Sequence, residues 1–249
     1  PLLEAAADLN LECDMDVPAP SWDASDACST YEVVVTSNTV VDVDCPQGYV
    51  MTRTYTATDA CGNVSMDEQV ITVVDTTAPV LEEVADANYE CNTDIPVILP
   101  NATDNCSTPV VTYDDGVELP GDCPAAYSFV RTYTATDECG NSSSTSHTIY
   151  VDDTTAPVWD EYQIDVDMPC DEVDNSILVT ATDNCSDFVI TYDDETVSGG
   201  CAGNIIRSYY VVDACGNEGD TIQQIIDLID EVNPWFVEFP VDVTVECSD

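Results

Sequence analysis

The sequence predicts an all-β protein built from small sandwiches joined in tandem, and three observations carry that reading. Cysteines recur at a fixed period, one stretch of text returns three times around every fourth cysteine, and the segments between turn signals are β-branched or aromatic.

The period comes first. Cysteines stand at 13, 28, 45 and 61, at 91, 106, 123 and 139, and at 170, 185, 201 and 215, with Cys247 following. Around the fourth cysteine of each set the chain reads Thr-Ala-Thr-Asp59-Ala-Cys61-Gly-Asn63, Thr-Ala-Thr-Asp137-Glu-Cys139-Gly-Asn141 and Val-Val-Asp213-Ala-Cys215-Gly-Asn217. Each set closes through Asp75-Thr-Thr-Ala-Pro79, Asp153-Thr-Thr-Ala-Pro157 or Asp230-Glu-Val-Asn-Pro234. The expected domains are therefore 1–78, 79–156 and 157–233, with 234–249 supplying the first strand of a fourth repeat. Pro1 stands where the linker prolines stand, which leads us to expect an interior window of a longer chain.

Within a repeat the runs Val33–Thr36, Val110–Tyr113 and Val189–Tyr192 read as strands, as does Ile98–Thr103. Val70–Val74, Thr148–Val151 and Ile225–Ile229 read as closing strands. Leu2–Leu9 has a faint helical pattern and is read as a strand with a loose start. The strand before Cys139 alternates, placing Tyr127, Phe129, Arg131, Tyr133 and Ala135 on one face.

Charge excludes one class of partner. Fifty acidic residues face three arginines and no lysine, a formal net charge of -47. Spread along roughly 120 Å of end-to-end sandwiches, that is one charge every ~2.5 Å, approaching the density of duplex DNA. Such a chain repels nucleic acid and anionic lipid. No apolar run is long enough for a membrane-spanning segment. Thirteen cysteines in this setting read as a disulfide framework in an oxidising, extracellular or cell-surface location. Zinc is disfavoured, because neighbouring cysteines are never closer than fourteen residues.

The Thr-Ala-Thr-Asp-x-Cys-Gly-Asn segments and the Asp-Thr-Thr-Ala-Pro-Val linkers at 75–80 and 153–158 resemble the hyalin-repeat (HYR and HYR-like) family, over the whole chain. Versions this acidic look most like those of giant surface adhesins of Bacteroidota. The resemblance implies tandem immunoglobulin-like β-sandwich domains in a linear array. The third repeat departs from the pattern at Val211-Val212-Asp213 and Glu231-Val232-Asn233.

Strand geometry narrows the pairing of cysteines. A strand of about nine residues separates its ends by ~30 Å, whereas bridged Cα atoms sit within ~7 Å. Cys123 and Cys139 flank such a strand, and so do the first and second cysteines of a repeat. The expected bridges are Cys13–Cys45, Cys28–Cys61, Cys91–Cys123, Cys106–Cys139, Cys170–Cys201 and Cys185–Cys215, with Cys247 pairing beyond the sequence.

Oxygen ligands gather beside the second and fourth cysteines and in the linkers. Asp75, Asp104, Asp137 and Asn141 form one expected Ca²⁺ set; Asp152, Asp153, Asp183, Asp213 and Asn217 form another. Asp26, Asp59 and Asn63 are the counterparts in repeat one, and Asp230 with Glu231 would serve the fourth repeat. The competing reading makes these aspartates turn caps. Arg53, Arg131 and Arg207 share one register and are expected to stack on Tyr55, Tyr133 and Tyr209 while pairing with a carboxylate. His147 is expected to be exposed. Thr76, Thr154 and Thr221 match an O-glycosylation pattern that the resemblance suggests, and Asn63, Asn101, Asn105, Asn141 and Asn184 match the N-glycosylation pattern.

No nucleophile and base stand in an arrangement that suggests an enzyme. The expected role is a spacer or filament shaft in an adhesin or matrix fibre, with neighbouring repeats and like chains in a fibre as its partners. The alternative is a carbohydrate-binding accessory module of an exported enzyme, for which Trp22, Trp159 and Trp235 are candidate platforms, although Trp159 and Trp235 sit where junction packing is the simpler role.

Overall fold

In the computed structural model, residues 1–41, 45–170, 179–197, 203–231 and 233 are described, and among them every regular element is a strand. Repeat one contributes β1 (Leu2–Ala5), β2 (Leu9–Glu12), β3 (Trp22–Ser25), β4 (Tyr31–Val41), β5 (Tyr49–Asp59) and β6 (Val64–Val74). Repeat two contributes β7 (Val80–Leu81), β8 (Ala87–Glu90), β9 (Ala102–Thr103), β10 (Val110–Asp115), β11 (Leu119–Pro120), β12 (Tyr127–Thr136) and β13 (Ser142–Asp152). Repeat three contributes β14 (Val158–Trp159), β15 (Asp165–Pro169), β16 (Ala181–Thr182), β17 (Phe188–Thr196), β18 (Asn204–Asp213) and β19 (Ile222–Ile229).

The plan recurs three times. One short antiparallel pair (β1–β3, β7–β9 or β14–β16) accompanies a larger sheet ordered β2-β6-β5-β4, β8-β13-β12-β10 or β15-β19-β18-β17. β2 runs parallel to β6, and β15 parallel to β19, while the long central strands pair antiparallel. The chain is thus a set of tandem β-sandwich units. The closing strands β6 and β13 follow their antiparallel neighbours through short turns, residues 60–63 and 137–141.

Alternation decides which side chains are buried. Phe129, Arg131, Tyr133 and Ala135 of β12 are all buried, as are Arg53, Tyr55 and Ala57 of β5 and Arg207, Tyr209 and Val211 of β18. The layers meet through aromatic contacts: Trp22 lies 5.9 Å from Tyr55 and Trp159 lies 6.3 Å from Tyr209, ring centre to ring centre. Trp159 also donates its indole N–H to the Asp220 carbonyl at 2.5 Å, so this half-buried ring is held within its own repeat. Trp235 lies outside the described residues.

Three expectations are corrected by the packing. Only Ala102–Thr103 of the expected strand 98–103 is a strand, and Ile98 is exposed. Leu2–Leu9 splits into β1 and the start of β2 with a break between. His147 is buried: its Nδ1 bonds the Ala85 carbonyl at 2.9 Å and its ring stacks on Tyr133. It fills the slot that Gln69 and Gln224 fill in the other repeats, where the amide N–H groups reach the Ala7 and Gln163 carbonyls.

The arginines are buried too, but their rings are not the expected ones. Arg131 lies over Tyr113 and Phe129, and Arg207 lies 4.1 Å from the centre of the Tyr192 ring. Tyr113 and Tyr192 come from the neighbouring strand of the sheet, whereas Phe129 lies two residues along Arg131's own strand. Arg131 makes a fork of two bonds to Asp115 (2.5 and 2.9 Å), and Arg207 makes the same fork to Asp194 (2.7 and 2.8 Å). Arg53 instead donates to the Pro18 carbonyl at 2.7 Å and to Gln69 at 3.4 Å.

By contacts the chain divides into two compact units. The first holds Pro1–Tyr89, Thr93–Leu119 and Tyr127–Val151, and the second holds Glu90–Asn92, Pro120–Ala126 and Asp152–Asp249. The two small segments of repeat two that join the second unit carry Cys91 and Cys123.

Candidate metal centre

Two loops of each repeat build the site. In the first, the Asp two residues ahead of the second cysteine turns its carboxylate back on the chain. Asp104 Oδ1 accepts from the N–H groups of Cys106 (2.9 Å) and Ser107 (3.1 Å), and Asp183 Oδ1 does so from Cys185 (2.9 Å) and Ser186 (2.8 Å). In the second, Asp137 Oδ1 accepts from Cys139 (2.9 Å) and Asn141 (2.8 Å), and Asp213 Oδ1 from Cys215 and Asn217 (both 2.8 Å). That second turn needs a residue at positive φ after the cysteine, which Gly140 (89°) and Gly216 (91°) provide.

The linker from the preceding repeat brings a third carboxylate. Asp75, Asp104 and Asp137 each offer an oxygen within 4.8 Å of the others, and Asp153, Asp183 and Asp213 do the same in the second unit. Asn141 and Asn217 pin the arrangement, donating to the Asp75 and Asp153 main-chain carbonyls at 3.1 and 3.0 Å. Asp75, Asp137, Asp153 and Asp213 are buried. One oxygen each of Asp75, Asp104, Asp153 and Asp183 is buried without a hydrogen-bond partner. Burial pushes the Asp75 carboxyl above the usual carboxylate range, and the charges of Asp104, Asp137 and Glu12 push it the same way. Asp213 is held low: burial opposes ionisation, but the Asn217 side chain and main-chain N–H groups outweigh it.

A bare cluster of this kind carries three negative charges with orphaned oxygens turned inward, which costs free energy unless a cation joins it. Hard oxygen donors suit Ca²⁺. Turn capping and ligation are not alternatives here, since Oδ1 of Asp104 and Asp183 caps the turn and Oδ2 is left for an ion.

The other expected ligands fall differently. Asp26 and Asp59 sit in the matching loops of repeat one, with Asn63 bonded to Asp59 at 2.6 Å, and no third carboxylate joins them among the described residues. Asp152 is exposed, its main-chain carbonyl accepting from Cys91 N–H at 3.0 Å. Asp230 is exposed after β19, and the fourth-repeat residues it would serve lie outside the described residues.

The sequence reading missed Glu12 and Glu90. Glu12 bonds the Thr76 hydroxyl and N–H, and Glu90 bonds the hydroxyls of Thr154 (2.7 Å) and Thr155 (2.8 Å), clamping each linker. Those hydroxyls hold the Glu90 carboxyl down at about 2. The signal was present in the Glu-Cys pairs at 12–13 and 90–91. Thr76 and Thr154 are exposed yet spend their hydroxyls here, and Thr221 is exposed.

The disulfides overturn the expected pairing. The structure joins Cys13 to Cys106, Cys45 to Cys139, Cys91 to Cys185 and Cys123 to Cys215, with Cα separations of 5.8, 4.3, 6.1 and 5.0 Å. Cys13–Cys45, Cys28–Cys61, Cys91–Cys123, Cys106–Cys139 and Cys185–Cys215 are therefore not the bridges formed. Cys201, of the Cys170–Cys201 expectation, and Cys247 lie outside the described residues. The elimination within a repeat was sound, since no repeat joins its own first to second or third to fourth cysteine. The next repeat, however, brings its second and fourth cysteines to the pole where the first and third cysteines end. The sulfurs beside Asp75 and Asp153 are thus oxidised and unavailable as thiolate ligands.

No known protein family matches the sequence, and no curated protein does. Solved structures do resemble the fold. Against mouse protocadherin-24 EC1-3 the TM-score is 0.33 at 11% identity, covering 88% of this chain and 96% of that one. Against Drosophila N-cadherin EC1-3 it is 0.36 at 12% identity, covering 91% and 98%. Against the extracellular cadherin domains 1-5 of protocadherin gamma B2 it is 0.35 at 11%, covering 94% and 60%. Values this low carry no residue from one protein to another.

Proposed function

We propose that this chain is a load-bearing spacer, the shaft of an extracellular adhesin or matrix fibre, in which each β-sandwich repeat is locked to the next by two disulfides and one Ca²⁺ ion. The observation that carries the reading is the disulfide pattern: all four described bridges run from one repeat to the next, across 92 to 94 residues of sequence. A bridge inside a domain protects that domain, whereas a pair of bridges across a linker stops two domains from bending or separating. The function of such an arrangement is mechanical. The resemblance to HYR-type adhesins points the same way, and the repeats 1–78, 79–156 and 157–233 are its domains.

In this reading Asp75, Asp104 and Asp137, and Asp153, Asp183 and Asp213, hold calcium, with Asn141 and Asn217 positioning the linker carbonyls. The cation neutralises a cluster that would otherwise push the linker away from the loops. The acidic surface elsewhere keeps like chains apart or lets cations bridge them.

Limited proteolysis tests the reading directly. Cleavage within the Asp-Thr-Thr-Ala-Pro linkers should leave one covalent species on a non-reducing gel and release fragments only after reduction. Fragments that separate without reductant would end the proposal. The carbohydrate-binding alternative gains no support from aromatic placement: the described exposed aromatics, Trp22, Tyr31, Tyr113, Tyr150 and Tyr210, are scattered over β3, β4, β10, β13 and β18 and form no shared platform.

A further inference from the structure

Repeat one carries the same two loops as repeats two and three, and among the described residues no linker carboxylate and no cysteine of another repeat is joined to them. Asp26 Oδ1 accepts from Cys28 N–H (2.9 Å) and Ser29 N–H (2.6 Å), as Asp104 and Asp183 do for their loops. Asp59 Oδ1 accepts from Cys61 N–H (2.9 Å) and Asn63 N–H (2.8 Å), and the Asn63 amide closes on Asp59 Oδ2 at 2.6 Å. Gly62 takes the same positive φ, 86°. Yet Cys28 and Cys61 are free and exposed, while Cys106, Cys139, Cys185 and Cys215 at the equivalent places all hold disulfides to the repeat before them.

We propose that Cys28, Cys61, Asp26, Asp59 and Asn63 form a preassembled docking face for the trailing pole of another β-sandwich repeat, one that presents a first and a third cysteine ahead of an Asp-x-x-x-Pro linker. This rests on the proposed function and names the partner of this face. The chemistry required of the partner is narrow. It must supply two thiols 31 or 32 residues apart in sequence, as Cys13 and Cys45 or Cys170 and Cys201 are. It must also supply an Asp four residues ahead of a proline, as Asp75 precedes Pro79 and Asp153 precedes Pro157. A second copy of this chain is a poor occupant, because its Cys13, Cys45, Cys91 and Cys123 are already oxidised and its Cys170 is already engaged. The linker Asp of that repeat would reach Asp26 and Asp59, as Asp75 reaches Asp104 and Asp137. There the Pro1 ammonium now lies 3.2 Å from Asp26 and, behind the Cys28 and Ser29 N–H groups, helps hold that carboxyl down at about 2.

Each new bridge forms from two thiols. Two protons and two electrons leave, and the electrons pass to a disulfide oxidant, which becomes a dithiol. The arriving Asp would complete a third cluster of three carboxylates.

The experiment compares the 249-residue protein with the same protein carrying one additional copy of its own residues 79–156 ahead of Pro1. In the parent, iodoacetamide under native, non-reducing conditions should label Cys28 and Cys61. In the extended protein both should be protected, and non-reducing peptide maps should join Cys28 to the added repeat's first cysteine and Cys61 to its third. Native mass spectrometry should show one more bound Ca²⁺ per chain. Cys28→Ser and Cys61→Ser in the extended protein should each abolish one bridge and leave the other. A Cys28–Cys61 peptide from the parent, or full labelling of both thiols in the extended protein, overturns the inference. The same maps report Cys13–Cys106 and Cys45–Cys139, so failure of the docking face is distinguishable from failure of the underlying disulfide ladder.

Discussion

Repeats one and two share a plan and differ in two places that show what the junction contributes. At the loops, the Asn63 side chain and N–H hold the carboxyl of half-buried Asp59 low. In repeat two the same loop receives Asp75, whose carboxyl is pushed up by burial and by its neighbours. The loops make the same hydrogen bonds in both, so the difference lies in the linker carboxylate that joins the second. In the sheet, Arg131 pairs across strands with Asp115, whereas Arg53 faces Ser37 in the same register. The arginine is retained even where its carboxylate is missing, so its packing and carbonyl bonds are sufficient to hold it.

Covalent closure should separate the two repeats most strongly. A bridge around a loop of nearly a hundred residues contributes about 4.7 kcal/mol through the unfolded chain, and a second nested bridge contributes less. Cys45→Ser with Cys139→Ser should therefore lower the urea midpoint markedly, whereas Cys28→Ser with Cys61→Ser should leave it unchanged. Equal losses from both pairs would mean that repeat one is bridged after all.

Calcium comes next. At a hundredfold excess over its dissociation constant one site adds about 2.7 kcal/mol, so EDTA should lower the melting temperature of the native protein. Asp104→Asn should abolish most of the calcium-dependent rise at its junction, and Asp26→Asn should not touch it. Melting curves that ignore both EDTA and Asp104→Asn would remove the cation from these loops.

The pH dependence follows with its sign set by Asp75. Its folded-state carboxyl is raised, so the ionised form destabilises the fold above the unfolded carboxylate range, and that cost is relieved as pH falls through the raised value. In EDTA, lowering pH from neutral toward the ordinary carboxylate range should stabilise the protein more than it stabilises Asp75→Asn. With calcium saturating, the difference should reverse, because protons then compete with the ion. The carboxyls of Glu90 and Asp115 are held below the ordinary carboxylate range, so their own titration falls on the acid side of this comparison.

The smallest expected effect lies in the sheet. Asp115→Asn should cost about 1–2 kcal/mol, a buried-pair loss discounted for the partly exposed carboxylate. Ser37→Asp should give repeat one the fork it lacks and raise stability by a fraction of that. A destabilising Ser37→Asp would show that the cross-strand geometry of repeat one does not admit the pair.

Much of the fold was legible because it is written at short range. Tyr127 to Ala135 alternate, and β12 buries the predicted face; Gly62, Gly140 and Gly216 mark turns that only positive φ permits. The aspartates beside the second and fourth cysteines were legible as a group for the same reason, since each caps a turn within four residues. Glu12 and Glu90 were missed because their partners, Thr76 and Thr154, lie 64 residues away. His147 was misplaced because its burial depends on the Ala85 carbonyl opposite, which no local pattern reports.

What the sequence by itself determined, then, is the period, the strands and the two poles at which thiols and carboxylates collect, all consequences of residues within one or two turns of each other. Which thiol meets which was decided only by tertiary structure. A repeating sequence labels every second cysteine alike, so Cys28, Cys106 and Cys185 are equivalent in pattern, and a pairing forbidden inside one repeat becomes available one repeat later. The choice is made by where the linker sets the next sandwich down, and that is a matter of packing across more than ninety residues.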